Sequence, residues 1–205
     1  GDFVMDEVIP AMYADYPLIS EADGGLHMMG ISMGGAGTLF LGLDHLDRLA
    51  SFTVWSAPIF KPEEMAKFVE GRIAQNFLPI DRVFGELDEA RLLRESPYTR
   101  ITSADDLRGT TFMFGMGTTD IFGIPKASKQ FHAHLSESGV PHRYVVYKGG
   151  HRWPDWARVF PVALCLHLTD ATCELPDSRF YSLTTVGDPE FAGGSTAVAA
   201  PSGAP

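Results

Sequence analysis

The fold of this chain is decided by the stretch Leu26-His27-Met28-Met29-Gly30-Ile31-Ser32-Met33-Gly34-Gly35-Ala36-Gly37. It is an apolar run that ends in the pattern G-I-S-M-G-G and passes into an amphipathic segment, residues 38–45. This order predicts a buried strand, a tight turn with Ser32 at its apex, and a helix packed back on the strand. A serine at such an apex takes a strained left-handed conformation, and Gly30 and Gly34 are predicted to supply the small residues needed where the two backbones nearly touch.

The predicted turn exposes the Ser32 hydroxyl at the positive end of a helix, beside the N–H of Met33. Such a donor stabilises a developing oxyanion. A glycine–serine pattern of this kind also arises by chance, but chance does not supply the strand before it and the helix after it. The stretch is therefore interpreted as a nucleophile elbow.

Length and composition describe one domain of ordinary size with a real core. The chain has 205 residues, 45% of them hydrophobic, and a formal net charge of −10. This charge argues against a nucleic-acid partner, and no apolar run is long enough for a membrane-spanning helix, so no membrane partner is expected. Cys165 and Cys173 match no metal spacing and are predicted to be thiols rather than a disulfide. The oligomeric state stays open, as does the compartment, with the cytoplasm slightly favoured.

Strand and helix patterns alternate along the chain, which predicts an α/β fold with a mainly parallel sheet and helices on both faces. Residues 58–108 contain few β-runs and are predicted to form a helical insertion over the carboxyl ends of the strands, where open α/β sheets bind ligands. Residues 1–170 are assigned to the catalytic domain, and 171–205 to a C-terminal extension that is flexible from about residue 187. Predicted strands are 26–31, 49–57, 110–117 and 143–148, and predicted helices are 2–16, 62–77, 86–94, 124–138 and 153–168.

A serine nucleophile needs a base, and His151 is the predicted base. It follows the strand that ends at Lys148 through Gly149 and Gly150, which leave the loop free to turn the imidazole toward the serine. For the other six histidines a structural role is favoured because no strand end presents them. His132 and His134 fall on a predicted helix, His27 lies within the strand before the elbow, and His45, His142 and His167 have surface or helix-end positions.

The base in turn needs a carboxylate to orient it, and Asp120 is the predicted acid. It stands in the loop after the strand that precedes the strand of His151. The alternative role for Asp120 is to cap the helix that begins near Ile124. Asp155 is the second candidate, although it is better placed to cap the helix that opens near Trp153. The order Ser32, Asp120, His151 is the one expected of an α/β-hydrolase.

Four motifs together resemble the esterase-D-like branch of the α/β-hydrolases, the group that includes feruloyl and acetylxylan esterases, enterochelin-type esterases and mycolyl transferases. The similarity covers about residues 2–168 and is strongest at the elbow and at the G-G-H-x-W stretch. The resemblance implies a serine ester hydrolase or acyl transferase, with Ser32, Asp120 and His151 as the triad and the Met33 N–H as one oxyanion donor. The motifs are Glu7-Val8-Ile9-Pro10, G-I-S-M-G-G, Thr118-Thr119-Asp120, and Gly149-Gly150-His151-Arg152-Trp153 with Trp156.

The chain departs from this family pattern in two ways. In the family the elbow strand is the fifth of the sheet, and the loop with the second oxyanion donor lies upstream of it. The chain is therefore expected to be the carboxyl-terminal part of an α/β-hydrolase domain, lacking the N-terminal strands, with the strand 26–31 exposed at an edge. The second departure is Arg152, which stands where such proteins often have a small or acidic residue.

The predicted activity is hydrolysis of a small-molecule carboxylic ester through an acyl-enzyme intermediate, without a metal or an organic cofactor. Aromatic side chains near the expected cleft, Trp55, Phe122 and Trp153 together with Phe60, are predicted to stack on an aryl or sugar group, although at least half of such residues belong to the core. Two alternatives stay open. The chain is an acyltransferase of the same family, or it is a non-catalytic remnant that binds ligands.

Overall fold

The structure is a computed structural model that describes residues 3–16, 25–70, 88–168 and 177–187. One five-stranded sheet in the order β1-β2-β3-β4-β5 organises it. Its strands are β1 (Leu26–Ile31), β2 (Leu49–Trp55), β3 (Thr111–Gly117), β4 (His142–Tyr147) and β5 (Tyr181–Val186). The α-helices are α1 (Ile9–Asp15), α2 (Met33–Asp44), α3 (Pro62–Glu70), α4 (Glu89–Glu95), α5 (Pro97–Arg100), α6 (Ile124–Glu137) and α7 (Trp153–Leu168).

Strands β1 to β4 pair in parallel, in the order in which the chain makes them. Parallel neighbours require a crossover between them, and the helices after β1 and β3 supply two of these crossovers. The carboxyl ends of the four strands therefore lie at one edge of the sheet, which is where α/β folds carry their sites. The predicted parallel sheet of an α/β fold is confirmed.

The sheet is buried by helices on both faces, as predicted. One core cluster includes Leu39 of α2 and Phe131 of α6 packed against Phe52, Phe112 and Phe114 of the central strands. These three strand side chains form a stack, with ring centroids 4.6 Å apart for the first pair and 5.3 Å apart for the second. The second cluster lies on the opposite face, where α7 packs on the sheet through Trp156, Val159 and Val162.

The first helix is divided near Pro10, as its sequence predicts. Residues Phe3–Val8 form a π-helical turn, and α1 continues from Ile9. Proline lacks the N–H that a continuous helix needs, but at the start of a helix that donor is not required. Of this segment only Met5 is fully buried.

Strand β5 is the main difference from the sequence prediction. Residues 171–205 were expected to form an extension outside the domain, yet Tyr181–Val186 pairs antiparallel with β4, and Tyr181 lies opposite Tyr147. The tail expected to be flexible lies, from residue 188 onward, outside the described residues. The middle segment is helical as predicted where it is described, in α3, in α4, in α5 and in a 3₁₀ turn at Ala104–Leu107.

Two smaller expectations are wrong. Cys165, predicted to be a thiol, is disulfide-bonded. His142, predicted at the surface or at a helix end, begins β4 and is buried. Within the described ranges, no helix is both long and apolar enough to cross a membrane.

Candidate active site

Ser32 occupies the turn between β1 and α2, with φ of 55° and ψ of −121°. This is the strained left-handed conformation that the sequence predicts for an elbow. A methyl group on Gly30 would stand 2.2 Å from the carbonyl oxygen of Gly34, and one on Gly35 would stand 2.9 Å from the carbonyl oxygen of Trp55. A methyl on Gly34 would meet nothing within 4 Å. The close approach therefore depends on Gly30 and Gly35, and the role predicted for Gly34 is wrong.

The backbone around Ser32 presents a donor beside the hydroxyl. The Ser32 N–H donates to the carbonyl oxygen of Trp55 at 2.8 Å, which fixes the turn against the neighbouring strand. Met33 is the first residue of α2, and the first N–H groups of a helix have no acceptor within it. In the described part of the chain no hydrogen bond engages the Met33 N–H. That donor therefore stays available at the positive end of the helix dipole, next to Ser32 in the chain.

His151 reaches the serine from the loop after β4. Its Nε2 lies 2.8 Å from the Ser32 Oγ. The loop is held by Asp155, which accepts the Gly150 N–H at 3.0 Å, and this hydrogen bond lowers the pKa of the Asp155 carboxyl. A methyl on Gly149 would stand 2.6 Å from the Asp155 carboxyl carbon, so only glycine allows this approach. Asp155 thus shapes the loop and does not contact the imidazole.

Asp120 completes the chain of hydrogen bonds from the loop after β3. Its Oδ1 lies 2.7 Å from the His151 Nδ1, and its side chain is fully buried. A carboxylate only accepts, so the His151 Nδ1–H donates to it. In the neutral imidazole Nε2 is then the acceptor, and the Ser32 hydroxyl donates to it. The structure brings these three predicted residues together from the ends of β1, β3 and β4.

Two aromatic rings pack edge-on against the His151 imidazole. The Trp156 ring lies 4.9 Å away at 79°, and the Phe122 ring lies 6.4 Å away at 73°. Trp153, also predicted to contact substrate, is 69% exposed and packs on Trp156. Trp55 is fully buried in the core against Tyr147 and does not reach the surface of the site. The predicted contact of Trp55 with substrate is therefore wrong, because its ring lies in the hydrophobic core.

A hydrogen-bonded group below Trp156 was not anticipated from the sequence. The indole Nε1–H of Trp156 donates to the Ser56 Oγ at 3.1 Å, and Ser56 Oγ shares a second hydrogen bond with the Tyr147 hydroxyl at 2.7 Å. Burial raises the pKa of Tyr147 to about 12, so the phenol keeps its proton. Ser56 is fully buried and has φ of 49°. A buried left-handed serine leaves no local signal in the sequence.

Five of the remaining histidines make contacts away from Ser32, and His134 does so through the carbonyl oxygen of Ile101. His27 and His167 both contact the Ser51 hydroxyl, and His167 also contacts the Thr53 hydroxyl. His132 Nδ1 and His142 Nε2 lie 2.8 Å apart. In the ranges that the structure describes, no group of three or more histidine, cysteine, aspartate or glutamate side chains is arranged to hold a metal ion.

A parallel sheet that carries a strained serine, an aspartate and a histidine, in that order along the chain, at the carboxyl ends of its strands is typical of the α/β-hydrolase fold. The chain belongs to the esterase family described as "Putative esterase", whose model matches residues 1–167. A comparison with curated proteins gives no match.

Solved structures agree with this fold. A ferulic acid esterase is 25% identical, with a TM-score of 0.56 over 82% of this chain and 59% of that one. FphF, a fluorophosphonate-binding serine hydrolase of Staphylococcus aureus, is 20% identical, with a TM-score of 0.66 over 82% of this chain and 63% of that one. An S-formylglutathione hydrolase from Agrobacterium tumefaciens is 17% identical, with a TM-score of 0.60 over 82% of this chain and 56% of that one. This chain therefore spans less than two thirds of each of these proteins.

Proposed function

We propose that the chain is the catalytic part of a serine carboxylic-ester hydrolase, with Ser32 as nucleophile, His151 as base and Asp120 as orienting acid. The observation that carries the proposal is the unbroken hydrogen-bond chain from the Asp120 carboxylate through the imidazole to the Ser32 hydroxyl. Membership of an esterase family and the name of the ferulic acid esterase support an ester as substrate.

The geometry supports a two-stage mechanism. In the first stage His151 Nε2 takes the Ser32 proton while Ser32 Oγ bonds to the ester carbonyl carbon, and the Met33 N–H donates to the resulting oxyanion. The intermediate collapses as the alcohol oxygen leaves with the proton from Nε2, which leaves an acyl group on Ser32. In the second stage water gives a proton to Nε2 and attacks the acyl carbon. The bond between this carbon and Ser32 Oγ then breaks, the serine oxygen takes the proton from Nε2, and the carboxylic acid is released. Asp120 holds the tautomer and stabilises the imidazolium.

The domain assignment belongs to the same proposal. Residues 1–170 carry the proposed triad, and the helical segment 58–108 is the proposed cap beside it. The contact between Phe68 of α3 and Phe122, whose ring centroids are 6.4 Å apart, supports this placement because Phe122 also packs on His151. The substrate is a small molecule, with an aryl or sugar ester as the proposed class.

Labelling with a fluorophosphonate probe tests the proposal directly. We expect a stoichiometric adduct on the peptide that contains Ser32, because only a serine activated by a base reacts quickly with such probes. Ser32→Ala abolishes the adduct, and Asp120→Asn slows its formation by about 10³–10⁴-fold, since the amide favours the wrong imidazole tautomer. Ser136→Ala, which changes an exposed serine on α6, is the matched control and keeps the wild-type rate. A folded protein that labels at another serine, or not at all, would refute the assignment.

A further inference from the structure

A cavity of about 290 Å³ lies between α3 and the beginning of α6. Phe60, Phe68 and Phe122 form its aromatic wall, and the charged side chains Glu64, Lys67 and Lys126 also line it. The wall is continuous, since the rings of Phe60 and Phe68 are 5.0 Å apart and those of Phe68 and Phe122 are 6.4 Å apart. The cavity is therefore an aromatic slot that opens among charged groups.

Phe122 joins this cavity to the proposed catalytic centre. Phe122 lines the cavity, and its ring also packs edge-on against the His151 imidazole at 6.4 Å. Its backbone has φ of 56°, which is a costly conformation for a bulky residue, and its side chain is nonetheless 46% exposed. Strain of this kind persists where the surroundings demand a particular side-chain position, and it clusters at ligand sites. The fold holds this ring where a bound ester would meet both the cavity and the reacting atoms.

The cavity is open to solvent on one side, and its volume gives a scale for the group that its walls can contact. An apolar cavity of about 150 Å³ accepts benzene, so about 290 Å³ accommodates one aromatic ring together with several further carbon atoms. An acetyl or formyl group would leave most of the space empty, and an empty apolar wall gains no contact energy. Aromatic walls select flat rings through stacked and edge-on contacts.

We propose that this cavity is the specificity pocket of the proposed esterase, and that it takes the aromatic or bulky apolar group of the ester, whether that group lies on the acid or on the alcohol. The inference rests on the proposed function, because the pocket is defined relative to Ser32 and His151. Phe68 is the specificity-determining residue, since it touches the other two rings and neither reacting side chain. Phe122 is the wall shared with the catalytic centre.

An ion pair fastens the two walls of the pocket to each other. Lys126 Nζ of α6 lies 2.7 Å from Glu64 Oε1 of α3, and the hydrogen bond from this lysine lowers the pKa of the glutamate carboxyl. An exposed ion pair adds little to stability. The pair lies at the rim of the cavity, where it joins α3 to α6. Lys67, on the same rim, offers a second positive charge to a polar end of the ligand.

Matched pairs of reagents test the pocket through the proposed nucleophile. The first comparison is between a methyl and a phenylpropyl phosphonate with the same leaving group. The second compares benzyl acetate and methyl 3-phenylpropanoate, each in turn, with methyl acetate. We expect the wild type to favour the aromatic member by at least about tenfold, and Phe68→Ala to lower that ratio by about tenfold. Phe3→Ala, which removes an exposed ring from the first helical turn, is the control and keeps the wild-type ratio. The two ester arms show whether the ring lies on the acid or on the alcohol.

A binding measurement keeps the pocket testable without catalysis. In Ser32→Ala, 4-fluorobenzyl alcohol is titrated and its ¹⁹F line width is followed. We expect broadening in Ser32→Ala and in its combination with Phe3→Ala, and at least a tenfold weaker effect in combination with Phe68→Ala. Equal binding with and without the Phe68 ring would refute the pocket, as would an unchanged reagent ratio. Absence of any Ser32 adduct alongside normal fluorobenzyl binding would refute the proposed function and leave the pocket standing.

Discussion

Ser56→Ala tests whether the hydrogen-bonded group below Trp156 supports the imidazole of His151, the proposed base. The substitution removes the acceptor of the indole N–H and the partner of the Tyr147 hydroxyl, both of which are buried. Each buried polar group left without a partner costs about 1–3 kcal/mol, so for these two groups the free energy of unfolding falls by about 2–6 kcal/mol. The left-handed backbone strain at residue 56 does not enter this difference, because serine and alanine both carry a Cβ.

Tyr147→Phe tests the hydrogen bond between Ser56 and Tyr147 separately. Alone, this change removes one hydrogen-bond partner of the Ser56 hydroxyl and destabilises the protein. In the Ser56→Ala background, however, it removes a polar group that is already unpaired, so it restores part of the lost stability. We expect the two changes to couple by about 1–2 kcal/mol in a double-mutant cycle measured by urea unfolding. Additive effects would refute the network, and Ser136→Ala, an exposed serine on α6, is the control that costs less than about 0.5 kcal/mol.

Activity gives a second measure of the same perturbation. The Trp156 ring packs on His151 at 4.9 Å, and without its hydrogen bond to Ser56 the indole has more freedom. We expect kcat for an activated aryl ester to fall by about tenfold in Ser56→Ala with KM unchanged, because misplacement of the base affects the transition state and not the binding of the ester. A rise in KM at constant kcat would contradict a positioning role.

Three further predictions concern the elbow, the buried histidines and the glycine loop. Gly30→Ala should lower the melting temperature sharply or prevent folding, because its methyl would stand 2.2 Å from a backbone oxygen. The methyl of Gly37→Ala meets nothing within 4 Å, so this control should stabilise the helix by about 0.5–1 kcal/mol. Burial lowers the pKa of His142 and of His167 to about 4. Between their ordinary pKa of about 6.5 and pH 4, the unfolded chain therefore binds protons that the folded chain does not. The free energy of unfolding falls as the pH falls, by about 1.4 kcal/mol per pH unit for each group. Urea unfolding from pH 7 to pH 4.5 measures that slope, and a flat profile would show that these imidazoles are not buried in solution. Asp155→Asn should loosen the loop at Gly149 and Gly150 and lower kcat by about tenfold. This loss is far smaller than the one expected for a change at Asp120, the proposed orienting acid. A fall of about 10³-fold for Asp155→Asn would contradict this division of roles.

The fold could be predicted from the sequence where a steric requirement or a hydrophobic period fixes the local structure. The run from Leu26 to Gly37 predicts its strand, turn and helix because an elbow needs a small residue where two backbones meet. The predicted parallel order of strands follows from alternation with helices, and it is confirmed. Asp120 and His151 were found because they follow strand ends, and the structure places both beside Ser32, although their catalytic roles stay predictions.

The sequence predictions fail where the burial or the conformation of a residue depends on contacts with residues far away in the chain. Trp55 ends a strand, and spacing alone does not say whether its ring faces the core or the cleft. Ser56 is held in a left-handed conformation by contacts with residues 147 and 156, about a hundred positions away. The half-buried residues of β5 are Tyr181, Leu183 and Val186, a pattern that departs from strict alternation at Thr185, so periodicity alone signals this strand weakly.

The long separation of Ser32 from His151, 119 residues along the chain, also has a consequence during synthesis. A ribosome adds about 5–20 residues per second, so about 6–24 s pass between the appearance of the serine and that of its base. In that interval the elbow segment can exist, but its hydroxyl has no imidazole to take the proton. On the proposed mechanism, a reactive electrophile that meets the growing chain therefore encounters an ordinary alcohol, and Ser32 becomes reactive only when the loop after β4 has been made.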